Sequence, residues 1–149
     1  PGLHRVDWDL RYTPPVAGDD VPAAAVLPGF YQVRLAVDGR VMRQAVSVRM
    51  DPRVRTSLLD LTALRDLGRS VDTARAAVDS AMAAVDASTT ADTSSNPSGD
   101  RLAALADELR SLAAALQRAD ARPGTRLQQA IEDVLARTAA ALGTSAGQR

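Results

Sequence analysis

The spacing of apolar residues changes once along the chain, near Asp51. Before this position apolar and polar residues alternate, which indicates half-buried β-strands. After it, apolar residues recur every three or four positions, which indicates amphipathic helices. The pattern predicts an α+β fold in which a small antiparallel sheet precedes a three-helix antiparallel bundle with one long helix. We divide the chain into a sheet segment, residues 1–52, and a helical bundle, residues 53–149.

Three strands are predicted in the sheet segment, over residues 3–12, 30–38 and 40–50. The first has a charged face and an apolar face, the latter formed by Val6, Trp8, Leu10 and Tyr12. Asp38 and Gly39 provide the positive φ angles of a two-residue turn between the other two strands. Such a turn sets Gln44 opposite Val33, which is a poor pair for a core. We therefore expect a bulge near Arg43 and Gln44 that restores the register.

Three helices are predicted in the second segment. Ser57 and Asp60 have the spacing of a capping box and mark the start of the first helix. Its apolar stripe comprises Leu61, Leu64, Leu67, Val71, Ala74, Val78, Met82 and Val85. A flexible Ser/Thr-rich linker, residues 87–99, leads to a second helix over residues 100–119. A third helix spans residues 126–142, and from Gly143 onward we expect a frayed tail. The leucine seams of the last two helices are interpreted as core.

Composition narrows the range of functions. The chain has 18 basic and 18 acidic residues, mixed along its length, so it lacks the basic stripe of a nucleic-acid-binding protein. All the basic residues are arginine, which excludes a Schiff-base or phosphate-loop lysine, and cysteine is absent, which excludes disulfides and thiolate chemistry. No apolar run is long enough for a membrane span. The chain begins with Pro1 and shows no signal peptide, so we expect a fragment.

Two groups of polar residues are candidates for chemistry. Asp7 and Asp9 lie about 7 Å apart on one predicted strand face, a spacing compatible with glycoside hydrolysis. We interpret them instead as a solvated face balanced by Arg5 and Arg11. His4 is the single histidine, without a second histidine or a cysteine to share a metal, and is expected at the surface.

Arginines and aromatic residues offer two further candidates. A carboxylate-binding cluster would use Arg11, Arg34, Arg43 and Arg49. These arginines fall on outward or edge positions of different strands, so we interpret them as a solvated charged face. A sugar-stacking platform would use Trp8, Tyr12, Phe30 and Tyr31. We assign all but Phe30, which points outward, to the core. The sequence therefore predicts no catalytic, cofactor-binding or metal site, and no cofactor.

Several runs of the chain resemble one recurring pattern. They are GLHRVDWDLRY at residues 2–12, PGFYQVRL at 28–35, VDG at 37–39 and DPRV at 51–54. The pattern is that of the C-terminal region of bacterial proteins with sortilin-like, Asp-box (BNR) repeat β-propellers, which are often described as glycosyl hydrolases or sialidase-like proteins. The run ADARPGT at 119–125 resembles the family's break before its last helix, with Gly124 as a departure from the usual Pro-Thr order. The opening runs are also similar to the immunoglobulin-like domain of flagellar hook-capping proteins.

The resemblance implies that residues 1–52 are part of an immunoglobulin-like β-sandwich whose earlier strands precede Pro1. It implies a parent protein that is exported to the periplasm or the cell exterior and carries any hydrolase chemistry on its propeller. This chain contains no Asp-box repeat, so no catalytic residue of the family can be transferred to it. The implied partner is the upstream propeller domain of the same chain, or another protein.

We rank three functions on these grounds. The first is a non-catalytic accessory module that mediates domain packing or protein interaction. It is supported because the apolar pattern accounts for strands and helices along the chain, whereas no set of polar residues forms a catalytic site. The second is a carbohydrate-binding or cell-wall-binding module, which requires exposed aromatic side chains. The third is a glycosidase, which requires a catalytic constellation that the residues do not provide.

Overall fold

The computed structural model describes residues 2–18, 20–88, 97–119 and 122–146. Its elements, in chain order, are β1 (Gly29–Val37), β2 (Arg40–Val48), α1 (Leu58–Ser88), α2 (Pro97–Gln117) and α3 (Thr125–Ala146). A two-stranded antiparallel sheet is thus followed by three helices, of which the first, with 31 residues, is the longest. This confirms the predicted α+β class with a small antiparallel sheet before a helical bundle.

The hairpin of β1 and β2 has a regular register. Asp38 and Gly39 have φ angles of 47° and 77° and form the predicted two-residue turn. Val37 pairs with Arg40, and the ladder continues without interruption to Gly29 and Val48. Val33 therefore lies opposite Gln44, and the bulge expected near Arg43 and Gln44 is wrong. The expectation assumed that one face is buried, whereas both faces are largely exposed, so burial does not constrain the register.

The predicted first strand, residues 3–12, is also wrong. Its only ladder partner within the described residues is a single bridge between Arg11 and Ala25. Leu10 has a positive φ of 61°, which interrupts the extended backbone at that point. Leu3 and Val6 are 100% and 92% exposed. Alternation identifies the two faces of a strand, but a strand forms only where another backbone pairs with it.

The start of α1 follows the predicted cap. The Ser57 hydroxyl accepts a hydrogen bond from the Asp60 backbone N–H at 3.1 Å and donates to the Asp60 carboxylate at 2.6 Å. Asp60 also places a negative charge in the first turn, where the helix dipole favours it. The capping prediction is confirmed.

The core lies among the three helices. Its fully buried side chains are Val71, Val78, Leu109 and Ile131, one or two from each helix. The start of α1 and the end of α2 line one cavity through Leu64 and Leu116, so these two helices run antiparallel. α3 packs against both. The leucine seam is buried as predicted, and alanines beside it allow the helix axes to approach closely.

The helix ends differ from the predictions. α1 continues to Ser88 and α2 begins at Pro97, so the described ends of the predicted linker, 87–99, are helical; residues 89–96 lie outside the described part of the chain. Proline suits the first turn of a helix because an N–H at that position would have no acceptor within the helix, so its absence costs no hydrogen bond. α3 continues through Gly143 to Ala146 instead of fraying at Gly143. No helix in the described ranges combines the length and hydropathy needed to cross a bilayer.

Replacement of Leu109 by alanine tests the core. We expect this variant to lose about 2–5 kcal/mol of unfolding free energy in urea titrations, because a fully buried leucine is truncated. The matched control is Leu59→Ala, which truncates a leucine that is 73% exposed and should change stability by less than about 0.5 kcal/mol. Equal losses in the two variants would show that the core is not centred where we describe it.

An ion pair between α2 and α3 predicts a pH-dependent contribution to stability. Arg137 donates to both carboxylate oxygens of Glu108, at 3.2 and 2.5 Å, and these hydrogen bonds lower the pKa of Glu108 below its ordinary value. A depressed folded-state pKa stabilises the fold above the unfolded value, about 4.3, and this stabilisation is lost as pH falls through the folded pKa. The destabilisation caused by Glu108→Gln should therefore be larger at pH 7 than at pH 3, measured by urea unfolding. Glu132→Gln, at an exposed position of α3, should show no such change.

Candidate interaction surface

Residues 21–26, which we call the strap, connect the N-terminal segment to the hairpin and lie against α1. Ala23 and Ala24 are buried there. The backbone N–H of Ala24 donates to the Asp72 carboxylate at 2.9 Å, and Arg75 donates to the carbonyl of Val21 at 3.2 Å. Gly68 is buried under the strap, where an added Cβ would lie 3.0 Å from that of Ala24. A glycine within α1 therefore permits the close approach of the two backbones.

The pair of Asp72 and Arg75 is the charged centre of this contact. The two side chains lie one turn apart on α1 and form an ion pair at 3.1 Å, with the side chain of Arg75 3% exposed and that of Asp72 15% exposed. A buried pair of this kind requires both partners, since removal of one leaves an uncompensated charge away from water. The strap and the ion pair therefore depend on each other.

Arg11 fastens the strap to the end of α2. Its guanidinium donates to the carbonyl of Ala23 at 3.0 Å and to the side-chain oxygen of Gln117. The amide of Gln117 in turn donates to the carbonyls of Pro22 and Ala23, at 3.2 and 3.1 Å. The prediction that Arg11 belongs to a solvated outer face is wrong, because that strand does not form.

A cavity of about 330 Å³ lies beneath the strap and the base of the hairpin. Its walls are mainly apolar and include Leu27, Met50, Val54 and Leu61. The polar side chains at its edge are Arg11, Arg65 and Gln117. Arg65 is engaged by Asp66, whose hydrogen bond raises the pKa of the guanidinium. The described residues that line this cavity include no carboxylate, and so they do not supply the paired acids of a glycosidase.

The aromatic residues link elements instead of forming one platform. The ring of Trp8 meets that of Tyr31 edge-to-face at 5.3 Å, and Tyr12 lies under the guanidinium of Arg69 at 4.7 Å. The assignment of Trp8 to a buried strand face is wrong, since this side chain is exposed. Phe30 is 88% exposed, as predicted.

The candidate acids and the histidine lie at the surface. Asp7 pairs with Arg5 at 3.0 Å, and both side chains are solvated. Asp9 accepts the backbone N–H of Arg11 at 3.0 Å, which shapes the turn after it. His4 is exposed. Within the described ranges, no group of three histidine, cysteine or acidic residues is placed to hold a metal ion.

The hairpin is largely exposed to solvent. Among the described residues, no Cα of either strand lies within 8 Å of a helix Cα. The hydrophobic side chains of the hairpin that are exposed are Phe30, Val33, Leu35, Val37, Val41 and Met42. Both outer edges also lack a ladder partner in the described part of the chain. The cover that a half-buried sheet requires is therefore not supplied by the helices.

The hairpin also brings two of the candidate arginines together. Arg34 and Arg43 lie directly opposite each other in the register. Neither forms an ion pair with a carboxylate of the described residues. Arg49 follows β2 and does not join them as a ladder pair. Sequence reasoning missed this juxtaposition because it expected a bulge at Arg43, although the Asp38-Gly39 turn alone specifies the observed register.

Comparison of the chain with protein-family models, with curated proteins and with solved structures gives no significant match.

Replacement of Asp72 by alanine tests the strap. The variant loses the acceptor for the Ala24 N–H and one of the partners of the buried Arg75, so we expect the unfolding free energy to fall by about 1–3 kcal/mol and the amides of residues 21–26 to exchange faster. Hydrogen–deuterium exchange read by mass spectrometry measures the second effect. Asp86→Ala removes an exposed carboxylate near the end of α1 and should leave strap exchange unchanged. Unaltered exchange in the Asp72 variant would contradict the anchoring role.

Proposed function

We propose that this chain is a non-catalytic accessory module of an exported β-propeller protein of the glycosyl-hydrolase-like type, and that it mediates domain packing or protein interaction. The observation that carries the proposal is the hairpin, whose two edges have no strand partner among the described residues and most of whose apolar side chains are exposed. An isolated two-stranded hairpin is marginally stable in water. A neighbouring domain that adds strands to it would complete a sandwich.

The helical bundle is suited to support such a hairpin. Its core draws side chains from all three helices, and the strap ties the base of the hairpin to α1 and to the end of α2. The module thus combines a folded platform with an unfinished sheet. Exposed apolar surface rimmed by charged residues is characteristic of interaction sites.

The surface chemistry supports a role without catalysis. Asp7 forms a solvent-exposed ion pair with Arg5, and the carboxylate of Asp9 accepts a hydrogen bond from the backbone N–H of Arg11. The parent propeller and its export, to the periplasm or the cell exterior, rest on the resemblance of residues 2–12, 28–35 and 51–54 to the corresponding C-terminal regions.

A carbohydrate-binding or cell-wall-binding module is the second candidate, and exposed Phe30 favours it. An aromatic ring presented to solvent is able to stack on the apolar face of a sugar. Affinity gels that contain cell-wall polysaccharides separate the two functions: under this alternative the chain is retained and Phe30→Ala is not.

Amide exchange of the hairpin, together with thermal unfolding, tests the main proposal. The chain alone and the chain joined to the propeller of its parent are compared by hydrogen–deuterium exchange and calorimetry. We expect the hairpin amides to exchange rapidly in the chain alone and to become protected, in a single cooperative transition, when the neighbouring domain is present. Hairpin exchange that is equally fast in both would refute the proposal, since the hairpin would then remain uncovered beside its own neighbour.

A further inference from the structure

The hairpin carries a charge that the rest of the chain does not share. Residues 29–49 contain four arginines and a single carboxylate, that of Asp38, whereas the whole chain has a net charge of zero. None of these four arginines pairs with a carboxylate of the described residues. The exposed hairpin is therefore a positively charged surface, and the remaining residues, with 14 arginines and 17 carboxylates, are net negative.

Arg34 and Arg43 are the closest of these charges. The two-residue turn is closed by hydrogen bonds between Val37 and Arg40, and hydrogen-bonded and non-hydrogen-bonded pairs alternate from there. Arg34 and Arg43 form a non-hydrogen-bonded pair, whose Cα atoms are about 4.5 Å apart. Like charges directly opposite each other destabilise a sheet. An anionic group placed beside this pair would relieve that repulsion.

The same alternation determines which backbone groups are free. Residues in non-hydrogen-bonded pairs turn their N–H and C=O groups away from the partner strand. On the outer edge of β2 these residues are Val41, Arg43, Ala45 and Ser47. The edge contains no proline and no bulge, so it is able to accept another strand along its full length.

The two faces of the hairpin differ in chemistry. Direct partners share a face, so one face, which we call the apolar face, carries Tyr31, Val33, Leu35, Val37, Met42, Val46 and Val48, with Arg40 and Gln44 as its polar members. The other, the arginine face, carries Arg34 and Arg43 together with Phe30, Gln32, Ala36, Val41, Ala45 and Ser47. A strand added beside β2 would continue both faces, since its own side chains alternate. Its residue opposite Arg43 would lie on the arginine face, and the residues on either side of it on the apolar face.

We propose that the outer edge of β2 binds an extended segment of a partner protein in which apolar and acidic side chains alternate, with one carboxylate placed at Arg34 and Arg43. The proposal rests on the proposed function and specifies the chemistry of the strand that completes the sheet. Main-chain hydrogen bonds supply affinity and the alternate side chains supply specificity, as in strand addition generally. Charge complementarity selects this occupant over a second copy of the chain, because two copies joined at this edge would bring their arginine faces together.

Peptide binding tests the proposal without the propeller. The probe is a fluorescent, end-blocked nine-residue peptide of alternating valine and glutamate, and its controls are the valine–lysine counterpart and polyglutamate. We expect the valine–glutamate peptide to bind about tenfold more tightly than either control in anisotropy titrations. Equal binding of polyglutamate would overturn the proposal in favour of a general polyanion site, and equal binding of the lysine peptide would overturn the role of charge.

Three variants locate the contact. Arg43→Glu should reverse the preference between the glutamate and lysine peptides, whereas Arg40→Glu, which makes the same charge change on the opposite face, should keep it. Ala45→Pro removes an outward N–H and should abolish binding, while cross-strand proton contacts observed by NMR confirm that the hairpin remains intact. Binding that survives Ala45→Pro, or sedimentation of the chain as a dimer through this edge, would refute the proposal. If the peptide fails while the neighbouring domain still protects the hairpin, the proposed function stands and the acidic strand does not.

Discussion

The carboxylate of Asp72 accepts the backbone N–H of Ala24 and also pairs with the buried guanidinium of Arg75. This arrangement ties the strap to α1, and the strap positions the base of the hairpin over the bundle. Because the ion pair is buried, it is stable only when the partners of each charge are in place. The absence of a side chain at Gly68 lets the strap approach closely enough for these contacts. The position of the hairpin therefore depends on polar contacts of the strap as well as on the burial of Ala23 and Ala24.

The two halves of the protein satisfy their apolar side chains in different ways. The helices bury leucine, valine and isoleucine against one another, whereas the hairpin leaves most of its apolar side chains in contact with solvent. The hairpin keeps its shape through the Asp38-Gly39 turn and its ladder, both of which are local. An incompletely covered sheet on a packed bundle is the observation on which the proposed role in association rests.

The functional candidates of the sequence had mixed outcomes once the fold was known. Arg11 became part of the strap contact, and Arg34 and Arg43 became an exposed like-charged pair. Asp7 and Asp9 are at the surface, engaged with Arg5 and with a backbone N–H. Alternation of apolar and polar residues predicted the face of a side chain correctly only where a strand forms. A register derived from the turn would have found the arginine pair, whereas the role of Arg11 depends on Gln117, which lies far along the chain.

The sequence by itself determined the helices, their apolar stripes, the Ser57 cap and the hairpin turn, because each depends on interactions between residues a few positions apart. The tertiary structure decided whether residues 3–12 have a strand partner, where the strap lies and why Arg75 is buried. These features depend on contacts between distant segments, and backbone hydrogen bonds of a strand exist only when another segment supplies them. Sequence and tertiary structure both determine the regular register of the hairpin. The turn specifies this register, and no buried face is present that would favour a different one.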